Sequence, residues 1–173
     1  MEIEIASKAG NRAIEDCLIC HSSTLQESQI TNEGNIPVYG ANGVIGTISE
    51  PVSHEDSILI IKDGSGVGTV RYVEGCHAMT GTMNYLTPNK DVNLKYIFYA
   101  LKYFDFQSYK TGMAIPHIYF KDYGKAKIYC PDFALQCAMA ERLTSLEKKR
   151  LIEENLLKAY SQQKNYLLGT MFI

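Results

Sequence analysis

The sequence predicts an α+β protein: a compact, mostly antiparallel, β-rich domain with a few helices, followed by one long C-terminal helix. Three observations predict it. Between about Ile36 and Tyr129, short β-branched runs are punctuated by Gly, Pro and Asn. Inside that stretch one segment, Leu94 to Phe106, has helical periodicity. After Pro131 the periodicity is helical throughout, with no Pro or Gly from Ala134 to Leu168.

Taken in chain order, the apolar stretch Ala13–Cys20 is expected to form a helix rather than a strand. Strands are expected at Val44–Ile48, Ser57–Ile61, Gly68–Val73 and Ala126–Tyr129, closely spaced as in an antiparallel unit. The internal helix is marked by Leu94, Ile97, Phe98, Leu101 and Phe104 at i, i+3, i+4 spacing. In the C-terminal helix Leu135, Met139, Leu143, Leu146, Ile152, Leu156, Tyr160, Leu167 and Met171 fall on the same repeat. At 1.5 Å per residue this helix is roughly 50 Å long, more than a small β domain is wide. Part of its apolar stripe must rest on something else, best another helix packed antiparallel or as a coiled coil. Two organisational units follow, residues 1–133 and residues 134–173.

At 173 residues and 19.4 kDa, the chain is long enough to bury a core without disulfides or metals. No run of 18 apolar residues suggests a membrane span, and the acidic start Met1-Glu-Ile-Glu-Ile5 lacks a signal-peptide pattern. Five cysteines without a regular framework point to buried, reduced thiols and a cytoplasmic protein. The formal net charge of -2 argues against a nucleic-acid binder held by its overall field. The distribution is uneven, however. Residues 1–60 carry Lys8 and Arg12 against nine acids, whereas both later segments, 61–133 and 134–173, are modestly basic. An anionic partner would therefore meet the second half of the chain.

Several motifs fail on their chemistry. Cys17-Leu-Ile-Cys20-His21 spells a haem-attachment pattern but sits in an apolar helical context without an export signal. Zinc would need a second closely spaced pair, which Cys76, Cys130 and Cys137 do not supply. Asp63-Gly-Ser-Gly-Val-Gly-Thr69 lacks P-loop spacing and a following helix, so a hairpin turn needing positive φ explains its glycines better. Asn84-Tyr85 loosely resembles the corner of amino-methyltransferases but lacks both prolines. No Ser/His/Asp or paired-carboxylate spacing demands catalysis, and His21, His54, His77 and His117 each have a surface or turn explanation.

The segment Lys110-Thr-Gly-Met-Ala-Ile-Pro-His-Ile-Tyr-Phe-Lys121 is more informative. Pro116 fixes φ and keeps Ile115 extended, while Lys110, Thr111, His117 and Lys121 mix phosphate donors with side chains able to reach base edges. A solvated loop beside a packed helix would carry the same composition.

These residues resemble one family. Ile36-Pro-Val-Tyr-Gly-Ala-Asn-Gly-Val-Ile-Gly46 is similar to the opening strand and turn of a target recognition domain from type I restriction–modification specificity (S) subunits. The likeness continues in order through Ser57–Ile61 with Gly66–Val70, Tyr96–Leu101, Thr111-Gly-Met-Ala-Ile-Pro-His-Ile118, and Pro131 with Gln136 and the long helix. The resemblance implies a non-catalytic subunit that needs no cofactor. It would read one half of a split double-stranded DNA target and direct methyltransferase (M) and restriction (R) subunits there, S-adenosylmethionine residing on the methyltransferase. Lys62, Lys110 and Lys121 would position phosphates, with Asn42, Ser65, Thr111, Met113 and His117 at the bases. With one recognition domain and one spacer helix, the sequence resembles a half subunit. Two copies would pair head to tail through Leu143, Leu146, Ile152, Leu156, Tyr160 and Leu167 into a homodimer. Two alternatives remain at this point: an assembly or decoy protein that binds methyltransferase through the helix without reading DNA, and an enzyme using Gly64–Gly68 for a nucleotide.

Overall fold

The computed structural model describes residues 9–171, so the acidic start Met1–Ile5 lies outside the described residues. In order come β1 (Arg12–Ala13), α1 (Ile14–Cys17), β2 (Leu18–Ser22), β3 (Ile36–Gly40), β4 (Gly43–Ile48) and β5 (Ser57–Ile61). They are followed by β6 (Val70–Val73), β7 (Ala78–Met79), β8 (Met83–Pro88), α2 (Leu94–Lys102), α3 (Phe120–Tyr123), β9 (Lys127–Ile128) and α4 (Phe133–Met171). The α+β class and the long terminal helix match the expectation.

The framework is a four-stranded antiparallel sheet ordered β2-β8-β5-β6. All five residues of β5 are buried, because its alternate side chains meet two different layers. Ile58 and Ile60 join Leu86, Leu18 and the α2 residues Ile97 and Leu101 in the main core. Leu59 and Ile61 face the other way, onto Val73, Met79 and Met83 with Tyr39 and Val52 packed beside them. A second sheet, ordered β4-β3-β7, lies on that side; β3 pairs antiparallel with β4 and parallel with β7. β1 and β9 form a small antiparallel pair. Asn11 reinforces it, its side chain both donating to Cys130 O and accepting from Cys130 N.

Two element boundaries differ from the sequence reading. The stretch expected as a helix at Ala13–Cys20 is one helical turn followed by strand β2. Leu18 and Cys20 alternate onto the main core while Ile19 faces out, and β8 offers Leu18–Ser22 a ladder of partners. The internal helix ends at Lys102 rather than Phe106. Phe104 and Phe106 both pack on the core, their ring centroids 4.8 Å apart, whereas helical residues two apart point to different sides. The Asp105 carboxylate then starts a 3-10 turn at Gln107–Tyr109 by accepting from Gln107 N and Ser108 Oγ.

Helix α4 is 39 residues, about 58 Å at the usual rise. Only its first turns are built into the domain. Gln136, Met139, Ala140 and Leu143 are buried, and every described residue from Lys148 onward is exposed. Asp132 caps the helix by accepting from Leu135 N. The Gln136 amide donates to Pro131 O at 2.8 Å and accepts from Asn93 N at 2.9 Å, joining the starts of α4 and α2. Farther along, Tyr99 and Lys102 both donate to the Glu147 carboxylate. Partial burial pushes that carboxyl up, but these two hydrogen bonds and the positive charges of Lys102 and Arg150 hold it below its ordinary value.

Candidate functional site

The loop joining β5 to β6 depends on glycines at positive φ. Gly64 (φ +96) and Gly68 (φ +88) let the chain reverse so that Gly68 N donates back to Ile61 O and Ile61 N to Thr69 O. As expected, this is a turn between antiparallel strands. Against it lies the segment 110–118. Thr111 and His117 exchange two backbone hydrogen bonds of 2.9 and 2.8 Å, closing a tight loop over residues 112–116. That loop is fastened to the β5–β6 turn by Gly64 N to Pro116 O (2.9 Å) and Ile118 N to Lys62 O (3.0 Å). At Gly112 (φ +86), a side chain would collide with the Ile115 carbonyl oxygen, so the reversal requires glycine.

These ties gather Lys62, Ser65, Lys110, Thr111, Met113 and His117 on two adjoining segments. Ser65 and Lys110 line a groove of about 350 Å³ between the glycine turn and the Phe104–Gln107 bend. Lys62 is 3.7 Å from Asp63. Lys121 follows on α3, its ammonium 5.3 Å from the Tyr119 ring, and His117 stands edge-on to the same ring. Asn42 sits exposed in the β3–β4 turn, on the other sheet. The turn 80–82 links that sheet to these loops: Thr80 N donates to Tyr39 O, and Thr82 O accepts from Lys62 N and Asp63 N.

Sequence reasoning missed part of this site. Ile115 stands exposed beside Met113 at the loop tip, and Asp105 with Phe106 forms a wall of the groove. Reading Phe104–Phe106 as helix concealed that wall; the Asp105-Phe-Gln-Ser turn pattern was the available signal. Arg71 on β6, away from the groove lining, lies 5.7 Å from the Tyr39 ring of the other sheet.

Three expectations about individual residues need correction. His77 has neither a surface nor a turn role: it is fully buried, Nε2 2.6 Å from Ser57 Oγ and Nδ1 2.7 Å from Gly75 O. Desolvation lowers its pKa, against the opposing effects of the Gly75 hydrogen bond and Asp56. The Ser57–His77 pair resembles a nucleophile and base, but both groups are fully buried and tie two sheets together. Cys76 is exposed, unlike buried Cys17 and Cys130, because it sits in the turn before β7. Burial raises the Cys17 thiol, with the nearby Cys130 adding to the effect, and pushes Cys20 up to about 11. Leu143 is only 1% exposed and packs into its own domain, so it is not available to a partner.

The haem-like motif is also resolved. Cys17 closes α1 while Cys20 and His21 lie on β2, where His21 turns to the opposite face and stacks on Tyr85 at 4.6 Å. Asn84 is buried within β8 and accepts from Ser22 Oγ. Among the described residues no group of three or more His, Cys, Asp or Glu side chains is placed to hold a metal. No described helix is long and apolar enough to cross a membrane.

Comparison with known proteins decides the family. Residues 13–159 match the type I restriction modification DNA specificity domain, most of the chain. The chain belongs to the type I restriction–modification specificity-subunit family. A Mycoplasma genitalium protein described as a type I specificity subunit is 27% identical over 154 residues, 86% of this chain and 40% of the relative. Among solved structures, the S subunit from M. genitalium superposes with a TM-score of 0.72 at 24% identity, covering 99% of this chain and 48% of that one. The HsdS subunit from Thermoanaerobacter tengcongensis does so at 0.59 and 17% identity, over 80% and 37%. A chain from a structure of type I system assembly and conformational transition gives 0.69 and 15%, over 89% and 42%. These solved structures share the fold. The chain thus spans less than half the length of these relatives, and its family is one of non-catalytic specificity subunits.

Proposed function

We propose that this chain is a half specificity subunit that reads one half of a split DNA target and lends that specificity to a methyltransferase and restriction complex in the cytoplasm. The observation that carries the reading is the fastened pair of loops, 63–69 and 110–118, on a specificity-family fold. Rigid loops on a sheet scaffold are how a small domain places donors at fixed spacing. Lys62, Lys110 and Lys121 would neutralise phosphates; Asn42, Ser65, Thr111 and His117 would face base edges, joined by Met113. Residues 1–133 form the recognition unit and residues 134–173 the spacer.

The spacer supports pairing. Beyond the domain, α4 exposes Leu146, Ile152, Leu156, Tyr160 and Leu167, an apolar stripe with no cover in the single chain. Two copies packed head to tail would bury these stripes as an antiparallel coiled coil and form a two-fold reader of both half targets. Methyltransferase subunits would dock on the paired helices and bring S-adenosylmethionine; restriction subunits would complete the nuclease.

Methylome sequencing of cells carrying the methyltransferase, with and without this gene, tests the reading. A modified motif that appears only with the gene is the expected result; an unchanged methylome refutes it. Replacing Lys110, Thr111 and His117 by alanine should alter or abolish the motif. An unaltered motif would mean that the chain assembles the complex without reading DNA through this loop.

A further inference from the structure

The tip of the 110–118 loop carries three consecutive apolar residues, Met113, Ala114 and Ile115, all exposed. Met113 is fully exposed and Ile115 is 65% exposed, while the residues that hold the loop are tied down at both ends. We propose that this apolar tip is a specificity-determining contact for the C5-methyl group of thymine in the major groove. This rests on the DNA-reading function proposed above and adds a base preference to it.

Three side chains with no donor, and with only the weak thioether acceptor of Met113, cannot distinguish base edges by strong hydrogen bonds. In the major groove the apolar feature of a base edge is the thymine methyl. Contact with a methyl group depends on close fit, and the loop is preorganised for it: the paired Thr111–His117 bonds, the Gly64–Pro116 and Lys62–Ile118 bonds, and Gly112 at φ +86 hold the tip in one shape. The surroundings favour nucleic acid over a protein partner. Lys110 and Lys121 flank the tip in sequence, and Lys62 bonds the loop's return through its carbonyl oxygen. An apolar area of three residues is also far below the roughly 800 Å² per partner of a stable protein interface, whereas phosphate contacts would supply most of the affinity for DNA.

The experiment uses the chain assembled with its methyltransferase and a duplex carrying the motif fixed by the methylome. Each thymine of the half target is replaced in turn by deoxyuridine, which deletes one methyl and leaves base pairing intact. For the wild-type chain, one position should weaken binding about fourfold, the effect of burying one methyl-sized group. Met113→Ala should bind the thymine duplex more weakly and lose that thymine-to-uracil ratio, while Met113→Leu should keep it. Lys110→Ala should weaken both duplexes equally. A wild-type complex indifferent to deoxyuridine at every position overturns the proposal while leaving DNA reading intact. So does a Met113→Ala variant that keeps the ratio, or one that loses only its methyltransferase, in which case the tip faces protein. Failure of the wild-type chain to direct any motif removes the DNA reading and this proposal with it.

Discussion

His77 shows how a single buried residue links two layers to pH. Its backbone exchanges hydrogen bonds with Ser53 while its ring reaches Ser57 on β5 and Gly75 O. Because burial lowers its pKa below the ordinary 6.5, the unfolded chain binds the proton first on acidification. Stability should therefore be level above about pH 7 and fall as pH drops from 6.5 towards the folded value, where the loss levels off. Urea denaturation at pH 7.5 and 5.5 checks this. His77→Gln should lose that slope and, by leaving buried partners unsatisfied, cost about 2 kcal/mol at pH 7.5. Equal slopes in both proteins would show that another group titrates. Gly112 gives a second case at this scale. Gly112→Ala forces both a strained φ and a clash with the Ile115 carbonyl, an effect on the order of 1–3 kcal/mol concentrated in one exposed loop. DNA affinity should drop several-fold with little change in melting temperature; a large fall in melting temperature would show that the loop is part of the folding unit. Residue roles were unevenly legible. The turn glycines announced themselves by spacing, whereas His77 did not, because a histidine buried by long-range pairing looks like any turn histidine in sequence.

At the scale of elements, legibility followed length. Helix α4 was read almost to its ends because its repeat runs for ten turns without a breaker. The stretch 13–20 is ambiguous in sequence because eight apolar-rich residues fit either period, and pairing of Leu18–Ser22 with β8, far away in sequence, decides for a strand there. The same contrast governs what α4 contributes. Its first turns are part of the core through Gln136, so Gln136→Ala should cost about 2 kcal/mol by leaving Asn93 N and Pro131 O without partners. The described residues beyond Lys148 are all exposed, and ion pairs such as Arg150–Glu154 run along the helix itself. A chain ending at Lys149 should melt cooperatively close to the full-length domain, yet remain monomeric where the full chain is a dimer by light scattering at tens of micromolar. Loss of the fold on truncation, or a strictly monomeric full chain, would defeat this division of labour.

At the scale of the whole molecule, the charge balance decides how DNA can be held. The net charge of -2 hides an acidic first third and a basic remainder, and the fold sorts them further. Lys62 adjoins the loop that Lys110 opens, with Lys121 on the following helical turn, and Asp63 and Asp105 share the same region and offset part of this charge, while Glu15, Asp16 and Glu33 lie on other segments. The location of this cluster was legible only in part. The lysine-bearing loop stood out in sequence, but its fastening to the β5–β6 turn depends on backbone bonds across more than fifty residues, which no local pattern records. Few phosphates can be neutralised by so small a cluster. Counterion release gives a slope of log affinity against log salt of about -3 for one recognition unit with three lysines, and about -5 for a paired reader. Titrating duplex DNA between 50 and 200 mM salt measures it. Lys110→Ala should reduce the slope by about 1 per chain, whereas Met113→Ala should leave it unchanged while weakening binding. A slope steeper than about -8 in the isolated protein would place the main phosphate contacts elsewhere, with the basic residues of α4 next to be tested. Shallow salt dependence with weak affinity would instead mean that these loops supply discrimination and that partner subunits supply most of the grip on DNA.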